Sequence, residues 1–245
     1  MTTFKRAIVF GASGNIGQAI SRQLAADGWS LVMQYYHHEA AVVDLVAELS
    51  HQYSAQEFQS VLMDFYQPDQ DYRQLLKSFG DYQALIFAQG ATTYQLFTDI
   101  SDGRILDLFR LHLLTPMSLI KAAQPHLQTH EHSRIVLIGS IYGGVGSAME
   151  VAYSSVKGAQ SSFANAYARE VAANGLTVNV IAPGAVDTQM NAEFSESELA
   201  ELSAEIPVGR LARPEEISIW VAHLLAPSAD YLTGQTIYVD GGWLK

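Results

Sequence analysis

The chain of 245 residues is 49% apolar, carries a formal charge of −11 and has no cysteine, so it can bury a large core but can form no disulfide, cysteine nucleophile or cysteine-ligated zinc site. Its 14 lysines and arginines are spread along the whole chain, which excludes the clustered cations that nucleic acid or an anionic membrane would require. No apolar run approaches the roughly 18 residues that span a bilayer, and the segment from Met1 to Arg6 lacks the regions of a signal peptide, so the expectation is a cytoplasmic protein.

Apolar, β-rich runs at residues 7–10, 30–35, 58–63, 84–88, 134–138, 177–181 and 235–239 alternate with helical patterns at 16–26, 40–50, 72–79, 104–127, 153–173 and 214–225. Runs such as Ala7-Ile8-Val9-Phe10 are apolar throughout, which suits strands covered on both faces. With no internal repeat or linker, this predicts a single Rossmann-like α/β domain over residues 1–245. Its doubly wound parallel sheet has about seven strands, flanked by helices on both faces. Right-handed crossovers place the ligand crevice at the carboxyl ends of the strands.

The first strand runs into Gly11-Ala12-Ser13-Gly14-Asn15-Ile16-Gly17 and then an amphipathic helix. Glycines at this point let the backbone turn tightly against a pyrophosphate, and the helix offers N–H groups and the positive end of its dipole. Gly11, Ser13, Gly14, Asn15, Ile16 and Gly17 are therefore candidate cofactor contacts; an ordinary tight turn is the plain alternative. The second strand ends in Tyr35-Tyr36-His37-His38, and no carboxylate that could take the ribose 2′-hydroxyl of NAD precedes Glu39. NADP(H) is favoured over NAD(H) on that ground, with Tyr35 and His37 as contacts, although His37 and His38 also read as solvated loop residues. After the third strand come Asp64 and Phe65; Asp64 either accepts from the adenine amino group or forms a strand-end turn.

The fifth strand ends in Gly139-Ser140, and thirteen residues after Ser140 comes Tyr153-Ser154-Ser155-Val156-Lys157. Tyr153 and Lys157 are four apart and share a helix face. A phenol with a pKa near 10 is a poor base at neutral pH, and a neighbouring ammonium favours the phenolate. Lys157 is expected to lower the pKa of Tyr153 and to hold the nicotinamide ribose, while Ser140 stabilises charge on a substrate oxygen. Proton and hydride then reach opposite ends of one C=O bond. The spacing alone more often means a half-buried tyrosine and a solvated lysine; the order of glycine loop, strand-end serine and helix-start Tyr and Lys is what points to chemistry. A hydrolase with Ser140 as nucleophile lacks the G-x-S-x-G elbow. His126, His130 and His132 are expected to form no metal constellation, so no metal is predicted.

In this order of motifs the chain resembles the short-chain dehydrogenase/reductase family from end to end. Further matching pieces are Asn179-Val180-Ile181-Ala182-Pro183-Gly184 through Thr188, Pro207-Val208-Gly209-Arg210, Pro214-Glu215-Glu216, Thr233-Gly234-Gln235 and Asp240-Gly241-Gly242. The resemblance implies an NADPH-dependent oxidoreductase acting on CH-OH/C=O groups, with Ala88 and Gly90 against the cofactor and Pro183, Gly184, Val186 and Thr188 at its nicotinamide end. Three departures stand out. Asn15 replaces the usual middle glycine, a residue that tolerates left-handed angles. Phe87-Ala88-Gln89-Gly90 replaces Asn-Asn-Ala-Gly. His112, in a register set by Pro116, Ala122 and Pro125, replaces an asparagine of the long fourth helix, and is either a fourth catalytic group in a water relay or a packing histidine.

Substrate choice is expected in residues 187–207, made acidic by Glu193, Glu196, Glu198, Glu201 and Glu205. The general resemblance is to 3-oxoacyl-(acyl-carrier-protein) reductases, whose basic docking residues beside the site match Glu131 and Asn174 here. A closer resemblance is to elongation factor P 5-aminopentanone reductases, carried by residues 94–102, His112, residues 139–143 and residues 150–160. It implies reduction of a ketone borne by a translation-factor lysine, a basic target that suits an acidic surface. A dinucleotide-binding regulator without catalysis is the reading of a different class, and intact Ser140, Tyr153 and Lys157 argue against it. The resemblance also implies a homotetramer built through the fourth and fifth helices and the C-terminal strand; Ala152, Ala159, Phe163, Ala166 and Val171 suit such packing.

Overall fold

The computed structural model describes residues 5–67, 70–189 and 195–243. Seven strands form one parallel sheet: β1 (Arg6–Phe10), β2 (Ser30–Tyr35), β3 (Phe58–Leu62), β4 (Ala84–Phe87), β5 (Ser133–Ile138), β6 (Leu176–Pro183) and β7 (Thr236–Val239), in the order β3-β2-β1-β4-β5-β6-β7. The order reverses between β1 and β4, which opens a crevice at their carboxyl ends.

Side chains alternate between the two faces of a strand. Ile8, Phe10, Leu85, Phe87, Ile135, Leu137, Val178 and Val180 pack against α3 (Tyr72–Ser78), α5 (Thr115–Leu127) and α7 (Val151–Val171). Ala7, Val9, Ala84, Ile86, Val136 and Ile138 pack against α1 (Asn15–Ala26), α2 (Glu39–Gln52) and α9 (Pro214–Leu225). Both faces are covered, so the middle of these strands is apolar on successive residues, as in Ala7–Phe10 and Ile135–Ile138. Each Leu, Ile or Phe so buried contributes roughly 1.5–3 kcal/mol.

The helix expected over residues 104–127 is interrupted. It runs as α4 (Asp102–Phe109), a π-helical turn at Arg110–Leu114, and α5. Pro116 is the cause: it has no N–H to offer the His112 carbonyl four residues back, and Thr115 N–H bonds Arg110 instead. Two further helices, α6 (Tyr142–Val145) and α8 (Glu196–Glu205), flank the crevice segments. Glu198 serves α8 as its capping box with Ser195, so that carboxylate is structural; Glu193 lies outside the described residues. No helix among the described residues is long and apolar enough to cross a membrane.

Two expectations are corrected. Glu131 and Asn174 stand just before β5 and β6, at the amino edge of the sheet, so within one chain they are not beside the crevice. His126 and His130 are not isolated: with Asp81 they bring three ligand atoms within 4.8 Å of one another. The pair is four residues apart at the end of a helix, and the sequence cannot show that a loop 45 residues earlier returns to meet it.

Candidate active site

The glycine loop joins β1 to α1. Gly11 has φ +75°, and a Cβ there would lie 2.4 Å from Gln89 backbone atoms, while one on Gly17 would lie 2.2 Å from the Gly11 carbonyl. These two glycines are demanded by the chain itself. Gly14 is different: a Cβ there would meet only the Gly11 carbonyl, at 3.7 Å. The N-terminus of α1 has no side-chain cap and no acidic residue in its first turn, which leaves the positive end of the dipole to an external anion. This open, anion-ready cradle at the switch point fits a dinucleotide pyrophosphate. Asn15 has no left-handed backbone; it begins α1, and its Oδ1 accepts from Gln189 N–H at 3.1 Å. The asparagine thus tethers the segment after β6 across the mouth of the loop.

The other expected contacts divide. Tyr35 is buried among Leu31, Met33 and the helices of that face, and its hydroxyl donates to Glu39 at 2.7 Å. Phe65 is buried against Phe10, and its carbonyl accepts from Thr115 at 2.7 Å. Both side chains belong to the core rather than the crevice, a correction that follows from strand-face parity and core packing. Asp64 uses one oxygen in a turn with Tyr66 N–H at 2.8 Å and also hydrogen-bonds Tyr36, the turn-former its position allowed. His37 is exposed beside Tyr36, ring centroids 3.9 Å apart. Ala88 and Gly90 follow β4; Pro183 ends β6; Gly184 lies so near Asp240 that a Cβ would approach its Cα to 3.0 Å. Val186 is buried and pairs with Ala212, and Thr188 is half-buried on the same carboxyl-edge segment.

Ser140, Tyr153 and Lys157 do converge. Ser140 accepts from Tyr142 N–H at 3.2 Å and is hydrogen-bonded to Tyr153. Lys157 is buried, its Nζ 5.5 Å from the Tyr153 ring centroid and donating to the Ile138 carbonyl at 2.8 Å. Gly143 allows this approach, since a Cβ there would strike the Lys157 backbone at 2.7 Å. The expected acidification of Tyr153 is corrected. Burial raises its pKa, the Ser140 hydrogen bond opposes that rise, and the carboxylate of Glu150 adds to it. Tyr153 keeps some surface toward the crevice, yet its hydroxyl is enclosed, so burial sets the direction. Burial also pulls Lys157 down to about 7. Desolvation is the leading cause at both groups, and the phenol stays protonated.

Among known proteins, a family model described as enoyl-(acyl carrier protein) reductase matches residues 11–244. The oxidoreductase YmfI of Bacillus subtilis is 38% identical, with 98% of each chain covered. The chain belongs to the short-chain dehydrogenase/reductase family, and is an oxidoreductase. A second relative is the 3-oxoacyl-(acyl-carrier-protein) reductase FabG of Escherichia coli, 32% identical over 97% of this chain and 96% of its own. Among solved structures, a blue fluorescent protein from a metagenomic library, in complex with NADPH, superposes with a TM-score of 0.90 at 29% identity, covering 98% of each chain.

In this short-chain dehydrogenase/reductase the crevice holds His112, expected from the sequence, together with Gln34, Glu150 and Met149, whose parts sequence reasoning missed. His112 is fully buried with its ring edge-on to Tyr153 at 5.5 Å. Its Nε2 lies 2.8 Å from the Ala91 carbonyl, its Nδ1 has no partner, and burial followed by Lys157 holds its pKa well below 6.5. The imidazole is therefore neutral and donates to Ala91. The His112 carbonyl, freed by Pro116, accepts from Gln160 at 2.6 Å. Gln34, read only as part of a strand, accepts from Gly11 N–H at 2.8 Å and donates to the Tyr35 and Met63 carbonyls at 2.8 and 2.7 Å, pinning the glycine loop. Glu150 is buried just before α7, accepts from Thr92 at 2.6 Å, and raises both Tyr153 and Tyr142. Met149 before it has φ +66°, the one non-glycine residue with positive φ among those described. That left-handed backbone is strain held at the crevice. Glycine or asparagine would have signalled it; methionine does not.

Proposed function

We propose that this oxidoreductase uses NADPH to reduce a ketone whose carrier bears a cationic amine, with the 5-aminopentanone group on elongation factor P as its substrate. The carrying observation is the carboxylate of Glu150, buried three residues before Tyr153 where it accepts from Thr92 at 2.6 Å; its charge raises both Tyr153 and Tyr142. Carboxylates at a partly desolvated mouth favour a cation and disfavour an acidic carrier protein.

A nicotinamide, when bound, supplies the hydride. Gly11, Gly14 and the N-terminus of α1 would hold its pyrophosphate, and Ala88, Gly90, Pro183, Gly184, Val186 and Thr188 would line the rest of the cofactor crevice. The choice of NADPH is supported at the end of β2, where no carboxylate occurs in residues 30–38 and the next, Glu39, is engaged by Tyr35. The NADPH complex of the blue fluorescent relative supports it further. Ser140 holds the substrate oxygen, and Tyr153, kept protonated by burial, gives its proton to that oxygen as charge develops. A resting phenol suits reduction, since oxidation would need the phenolate first. Lys157 holds the ribose and restores the phenol, and neutral His112 fixes the Tyr153 ring rather than carrying charge.

The 32% identity with FabG favours a second reading, reduction of a 3-oxoacyl thioester. The deciding experiment is turnover by the purified protein on 5-aminopentanone-modified elongation factor P and on an acetoacetyl thioester, with NADPH and with NADH. The expected result is preference for the modified factor and NADPH; preference for the thioester overturns the substrate assignment, and binding of NADPH without turnover on either overturns catalysis. Exposed Leu106, Leu114 and Met117 along α4, the π turn and α5 support assembly of single-domain chains into a homotetramer, which light scattering would measure.

A further inference from the structure

We propose that Asp81, His126 and His130 form a binding site for a divalent cation of the zinc class, at the amino edge of the sheet and independent of the crevice. His126 occupies the last turn of α5, and the chain then tightens: Thr129 N–H bonds the His126 carbonyl at 3.0 Å and His130 N–H the Leu127 carbonyl at 3.2 Å. That turn brings the two imidazoles together, ring centroids 5.3 Å apart. Asp81 arrives from the loop between α3 and β4, its Oδ1 3.0 Å from His126 Nε2 and 2.9 Å from His130 Nε2.

The two carboxylate–imidazole distances are close to those of a ligand set. With metal–ligand bonds of roughly 2.0–2.2 Å, neighbouring ligand atoms of a tetrahedral zinc stand roughly 3.3 Å apart. Two imidazole nitrogens and a carboxylate oxygen are donors that zinc and its neighbours in the first transition row accept. Three protein ligands leave a coordination position for water.

Tyr82 N–H donates to His126 Nε2 at 3.2 Å, so this nitrogen carries no proton of its own, and a bound cation would take over the lone pair that the amide now occupies. His130 Nε2 is enclosed and close to the same oxygen, yet it has no hydrogen-bond partner. The two imidazole nitrogens and the carboxylate oxygen thus lie within 4.8 Å of one another, and a cation bound among them would be liganded by all three. His132, two residues on, is held apart by Asp230 at 3.0 Å and stands outside the set. A bound cation would clasp the α3–β4 loop to the end of α5, a structural role.

The test is calorimetric titration of chelator-stripped, tag-free protein with zinc chloride, together with thermal unfolding across the same concentrations. One zinc per chain is expected, with Tm rising as free zinc rises. His130→Ala and Asp81→Asn should each lose the binding heat and the Tm response, and His132→Ala should keep both. His126 is left intact, because its loss would also strip Tyr82 of a partner. No heat and no Tm response in the parent chain, binding that survives both ligand variants, or equal loss in His132→Ala would overturn the site.

Discussion

The strand β5 has a buried cation at each end, and the two are kept in opposite ways. At its start, Arg134 is 1% exposed, pairs with Asp230 and donates to the Ser133 and Ala226 carbonyls at 3.0 and 3.4 Å. At its finish, Lys157 is 3% exposed, bonds the Ile138 carbonyl, and has no carboxylate within ion-pair distance among the described residues. An enclosed charge without a counter-ion is unfavourable, and the ammonium responds by falling to about 7. The contrast teaches that Arg134 is a neutralised piece of architecture. Lys157 is held in an environment that is costly to the fold alone, the signature of a group kept for chemistry.

Removing the phenol that Lys157 serves should break the carboxyl-edge half of this comparison most completely. Tyr153→Phe deletes the proposed proton donor and keeps the ring against His112; turnover should fall by roughly 10²–10⁴-fold, with cofactor binding and Tm unchanged. A loss under tenfold would deny Tyr153 its role. At the amino edge, Asp230→Asn leaves Arg134 buried without its counter-ion. The expected cost is about 3 kcal/mol by urea unfolding, the low end for a broken buried pair because Asp230 itself is half exposed. Its kcat should match the parent, and a fall in kcat per folded molecule would show that the two edges are coupled.

The two edges also differ in how well the sequence exposes them. The carboxyl edge is built from short-range signals: Gly11 to Gly17 in one turn, Tyr153 and Lys157 one helical turn apart, Ser140 at the end of an apolar run. Where the reading failed there, it failed on side-chain direction. Tyr35 shares the parity of Leu31 and Met33 and follows them into the core, while Gln34, on the opposite parity, turns to the glycine loop. The Gln160–His112 brace follows from Pro116 but needs α7 docked beside the π turn. The amino edge offered almost nothing, since Asp81 with His130 and Arg134 with Asp230 meet only through the finished sheet. A buried arginine inside an apolar strand was the one local hint, because such a charge requires a partner somewhere.

A finer test of the contrast lies in pH. Lys157 titrates near 7 in the folded chain and near 10.5 when exposed, so between those values the unfolded chain binds the additional proton and folding gains stability as pH rises. The burden of this lysine is full below about pH 7 and fades above it. Lys157→Met carries no such burden, so its stability advantage over the parent should shrink by about 2 kcal/mol between about pH 7 and about pH 9. Tyr153 is raised and keeps its proton throughout that window. An advantage that stays flat with pH would mean that Lys157 remains charged and solvated, and would make it resemble Arg134 after all.

The smallest expected effect separates charge used for substrate from charge used for fold. Glu150→Gln removes a carboxylate beside the phenol while the amide oxygen can still accept from Thr92. For a ketone whose carrier is cationic, KM should rise roughly fivefold, about 1 kcal/mol of lost attraction. For a neutral ketone the same change should leave KM alone. It should also ease Tyr153 toward ionisation, because the nearby negative charge that raises it is gone; the pH at which reduction declines should then move down. A uniform loss on both ketones would make Glu150 another Asp230, a counter-charge serving structure. A loss confined to the cationic substrate would place recognition of the amine at the same buried position that tunes the proton donor.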